Sequence, residues 1–205
     1  MNILTDYRNN PFRILGALPR QTRAELNELK EEAMLFGGEE IEKALADLLH
    51  PASRLAAELY WFPQTSAETI SDIDAFISRA AKATPFPTLN TPSALAIFNT
   101  VRYMLATVPL KDENRVLSLI YSMAIAADGL IAEEVIAELN ADREASGFPL
   151  LEDLMEIKHL LMTLQRETAV FFFSSIKQEN LKTCCSIWKE QSKKRDSRYH
   201  CRMAP

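Results

Sequence analysis

Apolar side chains recur along most of the chain at the three- and four-residue intervals that line one face of an α-helix. No stretch alternates strictly between apolar and polar residues, as a half-buried strand would. The pattern predicts an all-α fold. Thr22 and Glu25 have the T-x-x-E spacing of a capping box, in which each side chain satisfies an orphan amide of the first turn. A long helix is expected from Thr22, with Ala24, Leu26, Leu29, Ala33 and Leu35 or Phe36 buried, ending at Gly37 and Gly38. A second helix is expected from about Glu39 to Leu49 through Ile41, Ala44, Leu45 and Leu48. Pro51 opens a third, since proline costs nothing at a first helical position. That helix carries Leu55, Ala56, Leu59, Tyr60 and Phe62, and Pro63 ends it. Thr65 with Glu68 repeats the capping box before a fourth helix through Ile70, Ile73, Phe76, Ile77 and Ala80.

Between Thr84 and Pro92 the chain reads Thr-Pro-Phe-Pro-Thr-Leu-Asn-Thr-Pro, which favours extended backbone and marks a linker. Beyond it, Thr91 is the expected cap and Pro92 the start of a helix through Leu95, Ile97, Phe98, Val101, Met104 and Leu105. Asp112 caps the next, through Val116, Leu119, Ile120, Met123 and Ile125. Asp128 and Gly129 turn the chain into a helix containing Ile131, Val135, Ile136 and Leu139, which Gly147 and Pro149 break. A long amphipathic helix follows from about Leu151 to Phe173. The expected organisation is a helical module over 1–83, a linker over 84–92, a helical bundle or short helical repeat over 93–173, and a tail over 174–205.

Composition adds the setting. The 205 residues are 47% hydrophobic and 25% charged, ordinary values for a globular chain that can bury a core without disulfides or metals. The net charge of −5 is unevenly spread. From Lys177 onward there are 8 basic and 3 acidic residues, leaving 15 of the 23 basic and 25 of the 28 acidic side chains in the body. A basic tail on an acidic body reads either as a terminus resting on its own protein or as a contact for nucleic acid or an acidic partner. Cys184, Cys185 and Cys201 lie in that tail without C-x-x-C spacing, so neither a disulfide framework nor, with His200, a zinc site is expected. The amino terminus lacks the apolar run of a signal peptide, and no long apolar run crosses a membrane, which makes the expected location cytoplasmic.

Candidate chemistry is sparse. Neither His50 nor His159 stands at a catalytic spacing from an acid, cysteine or serine, and the chain has no G-x-S-x-G, phosphate loop or G-x-G-x-x-G. If Gly129 were the sixth position of a calcium loop, Ala124 and Ala126 would occupy ligand positions, so Asp128-Gly129 is a turn. The expectation is a protein without catalysis, cofactor or metal that binds another protein. Trp61 and Phe62 follow an amphipathic helix, a place where aromatic residues are usually core. Phe171, Phe172 and Phe173 cannot all face one side of a helix, so at least one is expected to be exposed or to meet a partner. These five residues are the candidate contact surface. The alternative is nucleic-acid binding through Lys193, Lys194, Arg195 and Arg198.

Asn10-Pro11-Phe12-Arg13-Ile14-Leu15-Gly16, then a capped helix, then Ala46-Asp47-Leu48-Leu49-His50-Pro51-Ala52-Ser53-Arg54-Leu55, resembles the J-domain, a co-chaperone module. The match covers about residues 9–62. It implies an antiparallel helical hairpin as a scaffold, and the family's partner is a DnaK-type ATPase, giving co-chaperone activity as a further alternative. The family's His-Pro-Asp triplet would fall near Met34 to Glu39, which reads Met-Leu-Phe-Gly-Gly-Glu here. The preceding helix, basic in active members, carries Glu25, Glu28, Glu31 and Glu32 against Lys30.

Overall fold

A computed structural model of the protein describes residues 3–35, 38–79, 91–107, 113–175 and 186, with no side chain described for 79, 113–117, 174 or 175. The described residues form ten α-helices: α1 (Ile3–Arg8), α2 (Pro11–Leu15), α3 (Arg23–Ala33), α4 (Glu39–Leu49), α5 (Pro51–Leu59), α6 (Ala67–Arg79), α7 (Ala94–Thr107), α8 (Glu113–Asp128), α9 (Ala132–Ser146) and α10 (Leu154–Ser175). The fold is all-α, as the periodicity predicts.

Local chemistry sets several boundaries. Asn10 caps α2 by accepting the Phe12 amide at 3.0 Å, and Gly16 closes that helix at a φ of 65°, where a side chain would be strained. The Thr22–Glu25 capping box forms, with Glu25 accepting the Thr22 amide at 2.7 Å. The helix it opens stops at Ala33, so Leu35 is 78% exposed, and Ala24 also faces solvent. Phe36 and Gly37 lie outside the described residues. Pro51 opens α5 as expected, with the His50 ring at its N-cap.

Two expected caps are displaced by one or two residues. Ser66, not Thr65, caps α6 by accepting the Thr69 amide at 3.2 Å. The Thr65 hydroxyl is engaged elsewhere, donating to the Pro63 carbonyl at 2.9 Å and lying within hydrogen-bond distance, 3.0 Å, of the Thr91 hydroxyl. Ser93, not Thr91, caps α7 by accepting the Ala96 amide at 3.0 Å. Glu138 of α9 reaches the same helix end, accepting from the Ser93 hydroxyl at 2.7 Å and the Ala94 amide at 2.9 Å. Asp153 receives the Met155 and Glu156 amides at 2.9 Å each, so α10 begins three residues later than expected. The expected cap Asp112 and most of the expected linker, residues 84–90, lie outside the described residues.

Two apolar clusters fill the interior, and the chain on either side of the proline-rich stretch contributes to both. One gathers Leu55, Leu59 and Phe76 with residues of α7 to α10. The other gathers Tyr7, Phe12, Leu26, Leu48, Trp61 and Phe62 with Ala96, Tyr103 and Phe148. The helix between them is α7, buried around nearly its whole circumference. Its Leu95, Phe98, Val101, Met104 and Leu105 enter the first cluster, while Ala96 and Tyr103 enter the second.

Candidate functional site

Trp61 and Phe62 follow the end of α5, and both turn inward; they are 2% and 0% exposed. The Trp61 and Phe62 ring centroids lie 4.9 Å apart, Tyr7 and Tyr103 4.8 Å, and Phe62 and Tyr103 5.9 Å, a tilted and edge-on aromatic cluster. The backbone here is gripped from two sides. Asn99 of α7 donates to the Leu59 and Trp61 carbonyls at 3.0 and 2.7 Å, Tyr103 donates to the Tyr60 carbonyl at 2.6 Å, and Asn10 donates to the Ala57 carbonyl at 2.9 Å. The contact surface expected of Trp61 and Phe62 is therefore corrected: α1, α2 and α7 cover both rings, and they are core.

The three consecutive phenylalanines are also placed otherwise than expected. None is exposed, because α10 lies against both clusters at once: Phe172 is buried in one, Phe173 packs against the same one, and Phe171 packs against the other. The solvent-facing residue is their neighbour Val170.

A polar network ties the first half of the chain to α9. The Glu58 carboxylate accepts from Arg54 Nε at 2.8 Å and from Arg143 Nε at 2.9 Å, all three side chains being buried. Arg54 also donates to the Pro19 carbonyl at 2.6 Å and stacks 3.6 Å from the Phe148 ring centroid, while Arg143 donates to the Pro149 carbonyl at 2.8 Å. Burial pushes the Glu58 carboxyl above its usual range, against the pull of Arg143 and Arg54. Next to it, Asp142 accepts from the Gln64 amide at 2.9 Å and the Gln64 side chain at 2.8 Å; Gln64 holds this position with a φ of 53°. A third buried guanidinium, Arg102 on α7, donates to Asp6 of α1 at 3.1 Å and lies 4.9 Å from the Tyr60 ring centroid. Tyr60 donates to Glu167 of α10 at 3.0 Å, and burial, then the Glu167 carboxylate, pushes its hydroxyl up to about 12. Ion pairs and hydrogen bonds join these groups across helices, with Arg102 Nε left unpartnered among the described residues, and the chemistry they support is the docking of helices.

Between α1, α2 and α6 lies an open cleft of about 300 Å³. Phe12, Leu18, Trp61 and Ile70 are among its walls, and Tyr7, Arg13 and Asp74 form its polar edge. One Asp74 oxygen accepts from the Tyr7 hydroxyl at 2.8 Å and from Arg13 Nε and Nη2 at 3.1 and 3.0 Å.

Sequence reasoning missed the apolar surface. On α10, Met155, Met162 and Val170 are 70%, 69% and 64% exposed. Spacings of seven and eight residues keep them on one helix face, along which His159 and Arg166 are exposed too. On α8, Tyr121 and Ile125 are exposed one helical turn apart. Periodicity alone did not reveal either stripe, because α10 is apolar on its buried side as well.

Lys193, Lys194, Arg195, Arg198, the three cysteines and His200 lie outside the described residues. Among the described residues, no group of three or more His, Cys, Asp or Glu side chains is placed to hold a metal ion, and no helix is long and apolar enough to cross a membrane. No protein-family model, curated protein or solved structure matches the chain.

Proposed function

We propose that the protein is a non-enzymatic interaction scaffold whose partner-binding surface is the outer face of α10. The observation that carries this reading is the stripe of Met155, Met162 and Val170, each about two-thirds exposed on a single helix face. Leaving large apolar side chains in water forgoes roughly 25 cal/mol per Å² of buried surface, a gain that a docked partner recovers. Methionine suits such a surface, since its unbranched, polarisable side chain repacks against partners of different shape. The partner is a protein that presents an apolar helix face of its own.

The N-terminal residues 9–62 are read as a J-like hairpin kept as scaffold. Support comes from the Asn10 cap of α2, the packing of α3 on α4, and α5 with its buried Arg54. Where the His-Pro-Asp triplet of J-domains would fall, this chain exposes Met34 and Leu35, and α3 exposes Glu28, Glu31 and Glu32. Carboxylates there repel an acidic chaperone surface, so no stimulation of a DnaK-type ATPase is the expected behaviour.

The test is affinity capture of the full chain from its own cell, in parallel with a Met155→Glu, Met162→Glu, Val170→Glu variant whose thermal unfolding matches the wild type. Loss of the captured protein in the variant supports the α10 surface. Undiminished capture refutes it, and capture lost only on adding salt assigns binding to the basic tail instead.

A further inference from the structure

The stripe on α10 also specifies which partner it fits. Its exposed side chains are, in chain order, Met155, His159, Met162, Arg166 and Val170. Spacings of three and four residues keep all five on one face. Apolar and basic residues alternate, and the order of types is the same read from either end. Such a stripe is complementary to an antiparallel copy of itself. At the register where Met155 meets Val170 of the second copy, Met162 stands at the two-fold axis beside its own counterpart, and apolar side chains cover apolar side chains.

Charge sets the direction. In that register Arg166 lies within one helical turn of the exposed Glu156 of the second copy, an opposite-charge pair that the two-fold makes twice. A parallel alignment would instead bring Arg166 onto Arg166 and Glu156 onto Glu156. His159 falls opposite Arg166 of the second copy, and its neutral ring has an acceptor nitrogen for the guanidinium.

Size sets the strength. The 22 residues of α10 span about 33 Å, and a strip about 10 Å wide along them covers on the order of 700 Å² in the two copies together. The adjacent helix α8, tied to α10 where Gln165 donates to the Ala127 carbonyl at 3.1 Å, adds the exposed Tyr121 and Ile125 to the apolar surface within reach. An area below the roughly 1,200 Å² of a permanent interface belongs to a contact that forms and separates readily.

We propose that the occupant of the α10 surface is a second copy of this chain, docked antiparallel through Met155, Met162 and Val170 as a reversible two-fold dimer. The inference rests on the reading of α10 as a binding surface and names what covers it.

Sedimentation equilibrium of the purified full chain tests it. A monomer–dimer equilibrium is expected, with a dissociation constant on the order of 100 µM. Met162→Glu, which sets two carboxylates side by side at the axis, is expected to weaken it at least about tenfold, and Met155→Glu serves if that variant does not fold. Arg166→Glu and Glu156→Arg are each expected to weaken it about tenfold, and the two together to restore it to within about threefold, since only the antiparallel register brings these positions together. A chain still monomeric at about 500 µM overturns the proposal. So does a dimer indifferent to the stripe variants, or a double exchange that does not restore association. Failure here is distinct from failure of the α10 surface itself: a monomeric chain that captures another protein, and loses it in the triple glutamate variant, overturns self-association alone.

Discussion

Replacing Glu58 with alanine removes the one carboxylate shared by Arg54 of α5 and Arg143 of α9, and leaves two guanidiniums buried without their counter-charge. Neither can swing into water: their side chains are 1% and 3% exposed, and each is tied to a backbone carbonyl. Breaking a buried ion pair by removing one partner costs about 3–5 kcal/mol, chiefly because the remaining charge is uncompensated. Asp142 is close enough to Arg54 to offset part of this, which places the expectation toward the lower half of the range. For a protein of this size each kcal/mol lowers the melting temperature by roughly 2–4 °C, so a drop on the order of 6–16 °C is expected.

The same geometry makes a second, opposite prediction. Replacing all three residues by apolar side chains of similar volume, Arg54→Met, Glu58→Leu and Arg143→Met, removes the charges together with their desolvation cost, and such exchanges are often neutral or stabilising. The triple variant is expected to recover at least half of the loss seen in Glu58→Ala. Urea unfolding followed by far-ultraviolet dichroism and by tryptophan fluorescence measures both. Because the network joins residues on either side of the proline-rich stretch, the two probes are expected to report one coincident transition. A loss below about 1 kcal/mol in the single variant would show that the network is not the tie it is argued to be. Two separate transitions in the wild type would refute the inference that α5 and α9 unfold together.

Phe62→Ala is expected to destabilise the fold by about 3–5 kcal/mol in the same urea experiment, as removal of a fully buried aromatic side chain does; a loss under about 1 kcal/mol would restore Phe62 to the surface. The Tyr60 hydroxyl, pushed up to about 12, holds its proton in the folded state after the unfolded chain has lost it. Its contribution to stability is therefore complete below about pH 10 and is lost as the pH rises from there to about 12, a loss that Tyr60→Phe should lessen when unfolding is followed across that interval.

What could be read from the residues, and what could not, divides by the distance over which each decision is made. The capping box of α3 is formed by Thr22 and Glu25 alone, and α5 starts at Pro51 because proline suits a first turn wherever it stands. The start of α6 is harder. Thr65 and Ser66 are adjacent and both can cap, and the choice goes to Ser66 because the Thr65 hydroxyl bonds to Thr91, twenty-six residues away. The start of α7 depends on Glu138, a carboxylate on another helix that no local pattern connects to Ser93. Burial follows the same rule with greater consequence for function. Trp61 and Phe62 end an amphipathic helix and by themselves fit a surface or a core; Tyr7, Phe12 and Tyr103, from three other helices, make them core. The phenylalanine run 171–173 is absorbed because α10 meets two clusters, and that leaves its outward residues, Met155, Met162 and Val170, as the apolar side chains without cover. A contact surface inferred from large aromatics alone thus selects the residues most able to bury themselves. The residues left for a partner are those whose helix has already used its other face, and only the packing of the whole chain identifies them.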